Sequence, residues 1–275
     1  MARTTMDFSG TSVFVSGGTS GINLGIAEGF AAAGAKVAVM SRSQQKVDAA
    51  VDRLKALGAE SVGVAADVRD PDATGAALRT AHEAFGDLDV LVSGAAGNFP
   101  ATALGMSPNA FRSVVDIDLL GSYHVLRAAH PLLRKPGAAV INISAPQAFL
   151  PMAWQSHVCA AKAGVDMLTR VLAIEWGRDG VRVNGVVPGP IEGTEGMHRL
   201  APTPQARDQV LQTVPAGRWG SPGDVADVCL FLASPLASYV TGVVLPVDGG
   251  WSLGGASTAM AAITATLSSA PAGTS

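Results

Sequence analysis

Short apolar runs alternate with longer helix-like segments along almost the whole chain. The runs are rich in Val and Ile, are mostly continuous, and lie at residues 12–15, 36–40, 62–66, 88–92, 138–143, 181–187 and 243–247. Continuous apolar strands are typical of a parallel sheet that is covered on both faces. Because helical segments separate the strands, we expect an α/β fold with a doubly wound parallel sheet of about seven strands and helices on both faces.

The predicted helices lie near residues 22–33, 43–57, 70–85, 108–133, 153–178 and 222–233. No linker or repeat interrupts the pattern, so we expect one domain over residues 8–252. A proline-rich stretch at 190–220, here called the lid segment, is either a substrate lid or an ordinary surface loop, and composition does not separate the two. Residues 253–275 are small and weakly apolar, so we expect a flexible tail outside the core.

The composition excludes several classes of protein. With 19 Lys and Arg against 22 Asp and Glu, the net charge is −3, and no basic cluster points to nucleic acid. No apolar run is long enough to cross a membrane, and the start of the chain lacks the apolar core of a signal peptide. Two cysteines fit a reducing compartment, and the chain does not end in a peroxisomal signal. We therefore expect a cytoplasmic, bacterial protein without a metal site.

A glycine-rich turn follows the first predicted strand and precedes the first helix, with the sequence SGGTSGINLG from Ser16 to Gly25. Glycines allow a tight turn and close approach of the backbone to a pyrophosphate, which the helix N-terminus attracts. In this position the turn indicates a dinucleotide site. The alternative is a tight turn without a ligand.

The second predicted strand ends in Ser41, Arg42 and Ser43, without an acidic residue. An acidic side chain at this point binds the ribose 2′-hydroxyl of NAD, whereas an arginine suits the 2′-phosphate of NADP. We therefore favour NADP, with a solvated arginine as the alternative.

Further motifs extend the series: Asp67-Val68, Ala95-Ala96-Gly97, Lys162, Pro188-Gly189-Pro190-Ile191 and Asp248-Gly249-Gly250. Over residues 8–252 the chain resembles the short-chain dehydrogenase/reductase superfamily. The resemblance implies a Rossmann-type sheet, a nicotinamide cofactor and a homotetramer. It implies cofactor contacts at Gly17, Thr19, Ser20, Gly21, Ile22, Ser41, Arg42, Ser43, Asp67, Val68, Ala95, Ala96, Gly97, Lys162, Pro188, Gly189, Pro190, Ile191 and Thr194.

The sequence departs from this superfamily at four positions. The tyrosine four residues before Lys162 is Val158, the serine is Ala145, the asparagine is Asp118, and the third glycine of the first turn is Asn23. Asparagine tolerates unusual backbone angles, but the change leaves cofactor affinity open. Reduction of a carbonyl needs an acid at the alcohol oxygen. The chain has two tyrosines, neither at the motif position, so simple carbonyl reduction is disfavoured.

One branch shows the same departures. The segments AAGNF at 95–99, DID at 116–118, GPIEGTEG at 189–196 and SPLASYVTG at 234–242 resemble peroxisomal-type 2,4-dienoyl-CoA reductases and their bacterial relatives. This resemblance implies that NADPH reduces the δ-carbon of a 2,4-dienoyl thioester, which is then protonated at the α-carbon to give a 3-enoyl-CoA. No alcohol oxygen needs a proton in this reaction, so the tyrosine is dispensable.

The resemblance also implies roles for single residues. Asp118 would hold or activate the water that supplies the proton, and Lys162 would bind the nicotinamide ribose. Substrate contacts are implied for Arg42, Arg69, Asn98, Phe99, Ser107, Pro108, Asn109, His157 and Arg199. Structural alternatives are a helix cap for Asn98, core packing for Phe99, a structural role for His157, and surface ion pairs for Arg69 and Arg199.

Two other functions stay open at this point. One is a reductase or dehydrogenase of the same fold that acts on another acyl-CoA or a carbonyl substrate. The other is a catalytically weak dinucleotide-binding scaffold, which the missing tyrosine and third glycine would fit and which the retained lysine disfavours.

Overall fold

The computed structural model describes residues 6–269 and contains the predicted sheet. Its seven strands are β1 Ser12–Ser16, β2 Lys36–Ser41, β3 Ser61–Ala65, β4 Val90–Ser93, β5 Ala139–Ile143, β6 Arg182–Pro188 and β7 Val244–Val247. All six strand pairs are parallel, in the order β3-β2-β1-β4-β5-β6-β7. The strand order reverses between β1 and β4, which is where ligands bind in doubly wound sheets.

Helices cover both faces of the sheet. They are α1 Gly21–Ala32, α2 Gln44–Ala56, α3 Pro71–Phe85, α4 Pro108–Val115, α5 Gly121–Ala129, α6 Ser156–Trp176, α7 Glu195–Leu200, α8 Pro204–Gln212, α9 Pro222–Ala233 and α10 Gly255–Ser269. Successive strand residues point to opposite faces. Val13 and Val15 of β1 therefore pack with α1, α2 and α9, whereas Phe14 packs with α3, α5 and α6. The sheet is thus buried on both sides, as its continuous apolar strands predict.

The segment predicted as one helix over 108–133 is divided in the structure. A π-helical turn, Asp116–Leu120, separates α4 from α5, and a 3-10 turn, His130–Leu132, follows α5. Gly121 lies where the helix passes close to the end of β3, since a Cβ there would lie 2.6 Å from Val68. π-turns are rare and frequently mark functional sites.

The lid segment is more regular than its proline content suggests. It contains the two helices α7 and α8, whose N-caps Thr194 and Thr203 each accept a hydrogen bond from a first-turn N–H. Pro204 is the first residue of α8, a position where its missing N–H is not needed. The proline therefore starts a helix here, and an irregular loop is not what the structure shows.

The expectation of a flexible tail after residue 253 is wrong for the part that the structure describes. Residues 255–269 form α10, in which Ala256, Ala259 and Met260 are buried against the lid segment and Trp251. The last six residues of the predicted tail, 270–275, lie outside the described residues. Across the described residues, no helix is both long and apolar enough to span a bilayer.

Candidate functional site

A cavity of about 640 Å³ opens at the carboxyl ends of the strands. Because parallel strands end at the same edge of the sheet, the turns after β1, β2, β3, β4, β5 and β6 meet there. Most of the predicted site residues line it: Gly17, Thr19, Ser20, Ile22, Ser41, Arg42, Ser43, Asp67, Val68, Ala95, Ala96, Gly97, Asn98, Asp118, Lys162, Pro188, Gly189 and Thr194. The motifs that are scattered in the sequence therefore converge on one site.

The glycine-rich turn has the geometry that phosphate binding requires. Gly17 has φ +73°, and a Cβ there would lie 2.9 Å from the Cα of Ala95. Gly21, also with positive φ, begins α1. The side chain of the N-cap Ser20 caps no N–H, and the first turn of α1 has no acidic residue. The N–H groups and the positive end of the helix dipole are thus free to bind an anion.

Asn23, at the position of the third glycine, is a brace between two turns. It lies within α1, outside the left-handed region, so tolerance of unusual angles is not the reason for this residue. Its Nδ2 donates to the Gly94 carbonyl over 2.7 Å. A Cβ on Gly94 would overlap the Asn23 side chain. Asn23 therefore needs a glycine at position 94, because its side chain occupies the space that a Cβ of residue 94 would take.

Two cationic side chains of the cavity follow β2. Arg42 and Lys46 both line it, and neither makes an ion pair within residues 6–269. Asp67, at the end of β3, is bound by Arg69 over 2.5 Å, and that guanidinium lowers the pKa of Asp67. The sequence motifs missed Lys46, although its position one turn into the following helix places it beside Arg42.

Asp118 projects from the π-turn into the cavity and is only 1% exposed. Its Oδ1 accepts the Gly97 N–H over 2.7 Å, whereas its Oδ2 has no hydrogen-bond partner in the described part of the chain. Lys162 Nζ lies 3.7 Å from Oδ2, too far for a hydrogen bond but close enough for attraction. Burial raises the pKa of Asp118, and Lys162 and the Gly97 N–H offset this only in part. Asp118 is therefore poised to exchange a proton.

Lys162 on α6 is held from the end of β5. Its Nζ donates to the Ile143 carbonyl over 2.8 Å, and the side chain is 5% exposed. One turn later on α6, Asp166 accepts a hydrogen bond from Ser144. Burial raises the pKa of Asp166, and the Ser144 hydroxyl partly offsets it. These two contacts fix α6 against β5, so the position of the ammonium group is well defined.

The cavity lacks a phenol. Val158 lines it at the superfamily's tyrosine position, and Ala145 lines it at the serine position. Tyr123 and Tyr239 are both exposed and neither lines the cavity. Near the carboxyl end of β5, Asp118 and Lys162 are thus the ionisable side chains that line the cavity among the described residues.

A second group of polar side chains lies beside the cavity. The rings of Phe99 and His157 are 4.5 Å apart, and both nitrogens of the fully buried His157 lack a well-aligned partner among the described residues. Burial lowers the pKa of His157, and the nearby Phe99 backbone partly offsets this. Gln155, which the sequence analysis did not single out, is also fully buried with its amide unpartnered in that same part of the chain. Trp154, just before it, has φ +67°.

Other predicted site residues do not line the cavity. Ser107 caps α4, and Pro108 and Asn109 are exposed in its first turn. Pro190 and Ile191 line a second cavity of about 270 Å³. Arg69 and Arg199 are half-exposed and engaged in ion pairs, Arg69 with Asp67 and Arg199 with Glu195. Gly21, Phe99 and His157 adjoin the cavity without lining it.

Several cavity-lining residues escaped the sequence analysis. Met197, Leu200 and Trp251 form one apolar side, and Gln147 lies in the turn after β5. Trp251 also packs in an apolar cluster with the lid segment and α10. These residues lie outside the superfamily motifs, so only the fold identifies them.

Comparison with known proteins agrees with this geometry. Residues 17–252 match the model of a family described as Enoyl-(Acyl carrier protein) reductase. A Rattus norvegicus protein named peroxisomal 2,4-dienoyl-CoA reductase, (3E)-enoyl-CoA-producing, is 44% identical over 240 residues, with 86% of this chain and 82% of the relative covered. The chain belongs to the short-chain dehydrogenase/reductase superfamily.

Two further similarities support this membership. A Bacillus subtilis protein named probable 2,4-dienoyl-CoA reductase, (2E)-enoyl-CoA-producing, is 36% identical over 241 residues, which cover 86% of this chain and 95% of that protein. The crystal structure of levodione reductase superimposes with a TM-score of 0.85 at 31% identity, covering 90% of this chain and 99% of that one. As a member of this superfamily of oxidoreductases, the protein has a site for a nicotinamide dinucleotide, which the open glycine-rich turn fits.

Proposed function

We propose that this protein reduces 2,4-dienoyl-CoA thioesters to 3-enoyl-CoA with NADPH as cofactor. The observation that carries the proposal is the pair Asp118 and Lys162, buried in the cavity beside Val158 where the superfamily has a tyrosine. Such a site has an acid that could deliver a proton to a carbon atom of the substrate, but no phenol that could protonate an alcohol oxygen. The names of the rat and Bacillus relatives support the substrate class.

The residues around the cavity suit NADPH. The turn from Gly17 to Ile22 would hold the pyrophosphate on free N–H groups of α1, and Asp67 and Val68 would flank the adenine. Arg42 and Lys46 would bind the 2′-phosphate, because both are free of ion pairs within residues 6–269. The turns at Ala95–Gly97 and Pro188–Thr194, together with Lys162, would surround the nicotinamide ribose. When bound, NADPH supplies the hydride for the δ-carbon of the dienoyl thioester.

The protein's own residues would complete the reaction at the other end of the conjugated system. Negative charge moves to the thioester oxygen, and a proton must reach the α-carbon. Asp118 would hold a water there through its unpartnered Oδ2, and its carboxyl group, whose pKa burial raises, would replace the proton that this water gives to the α-carbon. The buried ammonium of Lys162 makes the site positive and stabilises the developing charge. Lys162 Nζ stays in place through the Ile143 carbonyl.

Substrate positioning falls to the segment after β4. Asn98 lines the cavity, so its Nδ2 would donate a hydrogen bond to the thioester oxygen. Phe99 and His157 would form the side of the acyl site beside it. Arg69, Arg199 and the exposed residues Ser107 to Asn109 would contact the phosphates and the pantetheine of CoA near the cavity mouth. Arg199 would also keep the lid segment closed, since it donates to the Asn98 carbonyl over 2.7 Å.

We also propose a homotetramer in the cytoplasm. Large apolar side chains are exposed in two stretches of the chain. Phe111, Leu120, Tyr123, Met167, Val171 and Ile174 lie between α4 and α6, whose elements pack together, and Leu236, Tyr239, Val243 and Leu253 lie between α9 and α10. Two different self-complementary surfaces are what a tetramer with two kinds of interface requires. The two cysteines, both free thiols, fit a reducing compartment.

Turnover of defined thioesters tests the proposal. The purified protein should oxidise NADPH with 2,4-hexadienoyl-CoA and leave 2-hexenoyl-CoA and a simple ketone unreduced. Chromatography of the product should give 3-hexenoyl-CoA, whereas 2-hexenoyl-CoA would match the name of the Bacillus relative and correct the protonation site. NADPH binding without turnover of any dienoyl-CoA would refute the proposal, and turnover of another CoA ester would then identify the alternative substrate.

A further inference from the structure

The C-terminal helix α10 follows a sheet that is already complete. The last strand ends at Val247, and the family match ends at residue 252. Yet the first two turns of α10 bury Ala256, Ala259 and Met260 almost completely. The helix is therefore packed on the domain although the fold does not need it.

The buried face of α10 contacts the lid segment. Its three buried side chains share one apolar cluster with Ala201, Val210 and Val214 of the lid segment, and with Met152 and Trp251. The helix begins close to the end of α8, since a Cβ on Gly255 would overlap the Thr213 carbonyl. Trp251 Nε1 donates to the Thr213 hydroxyl over 2.9 Å. α10 and α8 are thus held together where α10 starts.

The same cluster reaches the cavity on its other side. Met197, Leu200 and Trp251 line the cavity, and all three belong to this cluster or pack against it. The cationic pair Arg42 and Lys46 lines the cavity at the end of β2, on a different element. The cavity therefore has one apolar wall, made by the lid segment and Trp251, and α10 packs behind that wall.

We propose that α10 braces this apolar wall and thereby determines how long an acyl chain the site accepts. The proposal rests on the proposed function, because it names the part of a dienoyl-CoA that the wall contacts: the methylenes beyond the conjugated system. α10 touches neither cofactor nor reacting atoms, so Ala259 and Met260 are positioning residues that act through Leu200 and Trp251. A short dienoyl chain does not reach the wall, so substitutions in α10 do not change its binding or turnover.

Two matched substitutions on α10 test this. Ala259→Glu places a charge in the buried cluster, and Ala261→Glu, two residues later on the exposed face, is the control. With 2,4-decadienoyl-CoA, Ala259→Glu should raise KM about tenfold. Each methylene that loses its contact with the wall raises KM roughly fourfold, so this is the loss of one to two methylene contacts. With 2,4-hexadienoyl-CoA, KM and kcat should stay unchanged, as should the Kd for NADPH. Met260→Ala, which adds no charge, should shift KM in the same direction if Ala259→Glu does not fold.

Binding of saturated acyl-CoA separates this proposal from the proposed function. Calorimetry should show that Ala259→Glu weakens the binding of decanoyl-CoA but not that of hexanoyl-CoA. This result is expected whether or not the protein turns over dienoyl thioesters. Length-dependent binding without turnover by the unaltered protein would refute the proposed function and leave the brace intact. Equal effects on both chain lengths, or no effect in Ala259→Glu and Met260→Ala, would refute the brace.

Discussion

Replacing Asp118 by asparagine changes the ionisable group and little else. The amide has the size of the carboxylate, and its oxygen can still accept the Gly97 N–H that Oδ1 accepts over 2.7 Å. Lys162 keeps its hydrogen bond to the Ile143 carbonyl. What disappears is an acidic group facing the cavity and its attraction for the ammonium 3.7 Å away.

The expected effect is on turnover. General acid–base catalysis contributes about 10²–10⁴-fold, and the amide still holds a water, so we expect kcat to fall by about 10²–10³-fold. The Kd for NADPH should change little, because the Gly97 N–H keeps an acceptor and Lys162 keeps its bond to the Ile143 carbonyl. Burial raises the pKa of Asp118. The protonated form of Asp118 is fully populated well below that pKa and is lost as the pH rises through it. In the unaltered protein kcat should fall over the same range, and the variant should lack this fall.

The assay is NADPH oxidation with 2,4-hexadienoyl-CoA across a pH series, with NADPH binding measured separately. Asp116→Asn is the matched control: it makes the same change two residues earlier in the same π-turn, at a half-buried position that does not line the cavity. If Asp118→Asn has the same turnover and pH profile as Asp116→Asn, Asp118 takes no part in proton transfer.

Three further substitutions test the rest of the site. Arg42→Ala should weaken NADPH binding by about 10–100-fold, as expected for one charged hydrogen bond, and leave NADH unaffected; titration with both cofactors checks this, and equal weakening contradicts it. Asn23→Ala leaves a buried carbonyl unpaired at a cost of about 1–3 kcal/mol, so Tm should fall by about 2–4 °C per kcal/mol; an unchanged Tm contradicts the brace between the turns. Gly25→Ala would push a Cβ into Pro222 and separate α1 from α9, costing about 1–3 kcal/mol in denaturant unfolding. Gly223→Ala, which meets no atom closer than 3.5 Å, should cost less, and equal losses would refute the steric argument.

The sheet could be predicted because its signal is local. The five inner strands are continuous apolar runs buried on both faces, and the alternation with helices leaves few topologies. The boundaries at β1, β2 and β5 differ from the predicted runs by one residue at most. The same local reasoning missed the π-turn at Asp116–Leu120, because a five-residue change in helical winding leaves no apolar pattern of its own.

Helix α10 was missed for a different reason. Ala256, Ala259 and Met260 have helical spacing, but alanines among serines and threonines carry little apolar signal. Their burial depends on the surface of the lid segment, which is distant in sequence from most of the core. A helix made largely of small residues is stabilised by tertiary packing, and its packing partners cannot be inferred from its own residues.

Positions in the candidate site could be predicted where two residues have a fixed spacing on one helix. Lys162 and the valine four residues before it lie on one face of α6, so the absence of tyrosine could be assigned to the cavity from the sequence. Lys46, Leu200 and Trp251 follow no such spacing. They line the cavity only because α2, the lid segment and the turn after β7 meet there, and such long-range meetings need the fold.

The two changes at the centre of the site are coupled by proton chemistry. Reducing a carbonyl places charge on the oxygen next to the hydride acceptor, and Val158 has no proton for it. Reducing a conjugated diene places charge further along the chain, where a proton must reach carbon. Asp118, buried and paired with Lys162 on a neighbouring helix, offers an acid at a different point of the same cavity. The presence of both therefore favours reduction of a conjugated carbon–carbon system.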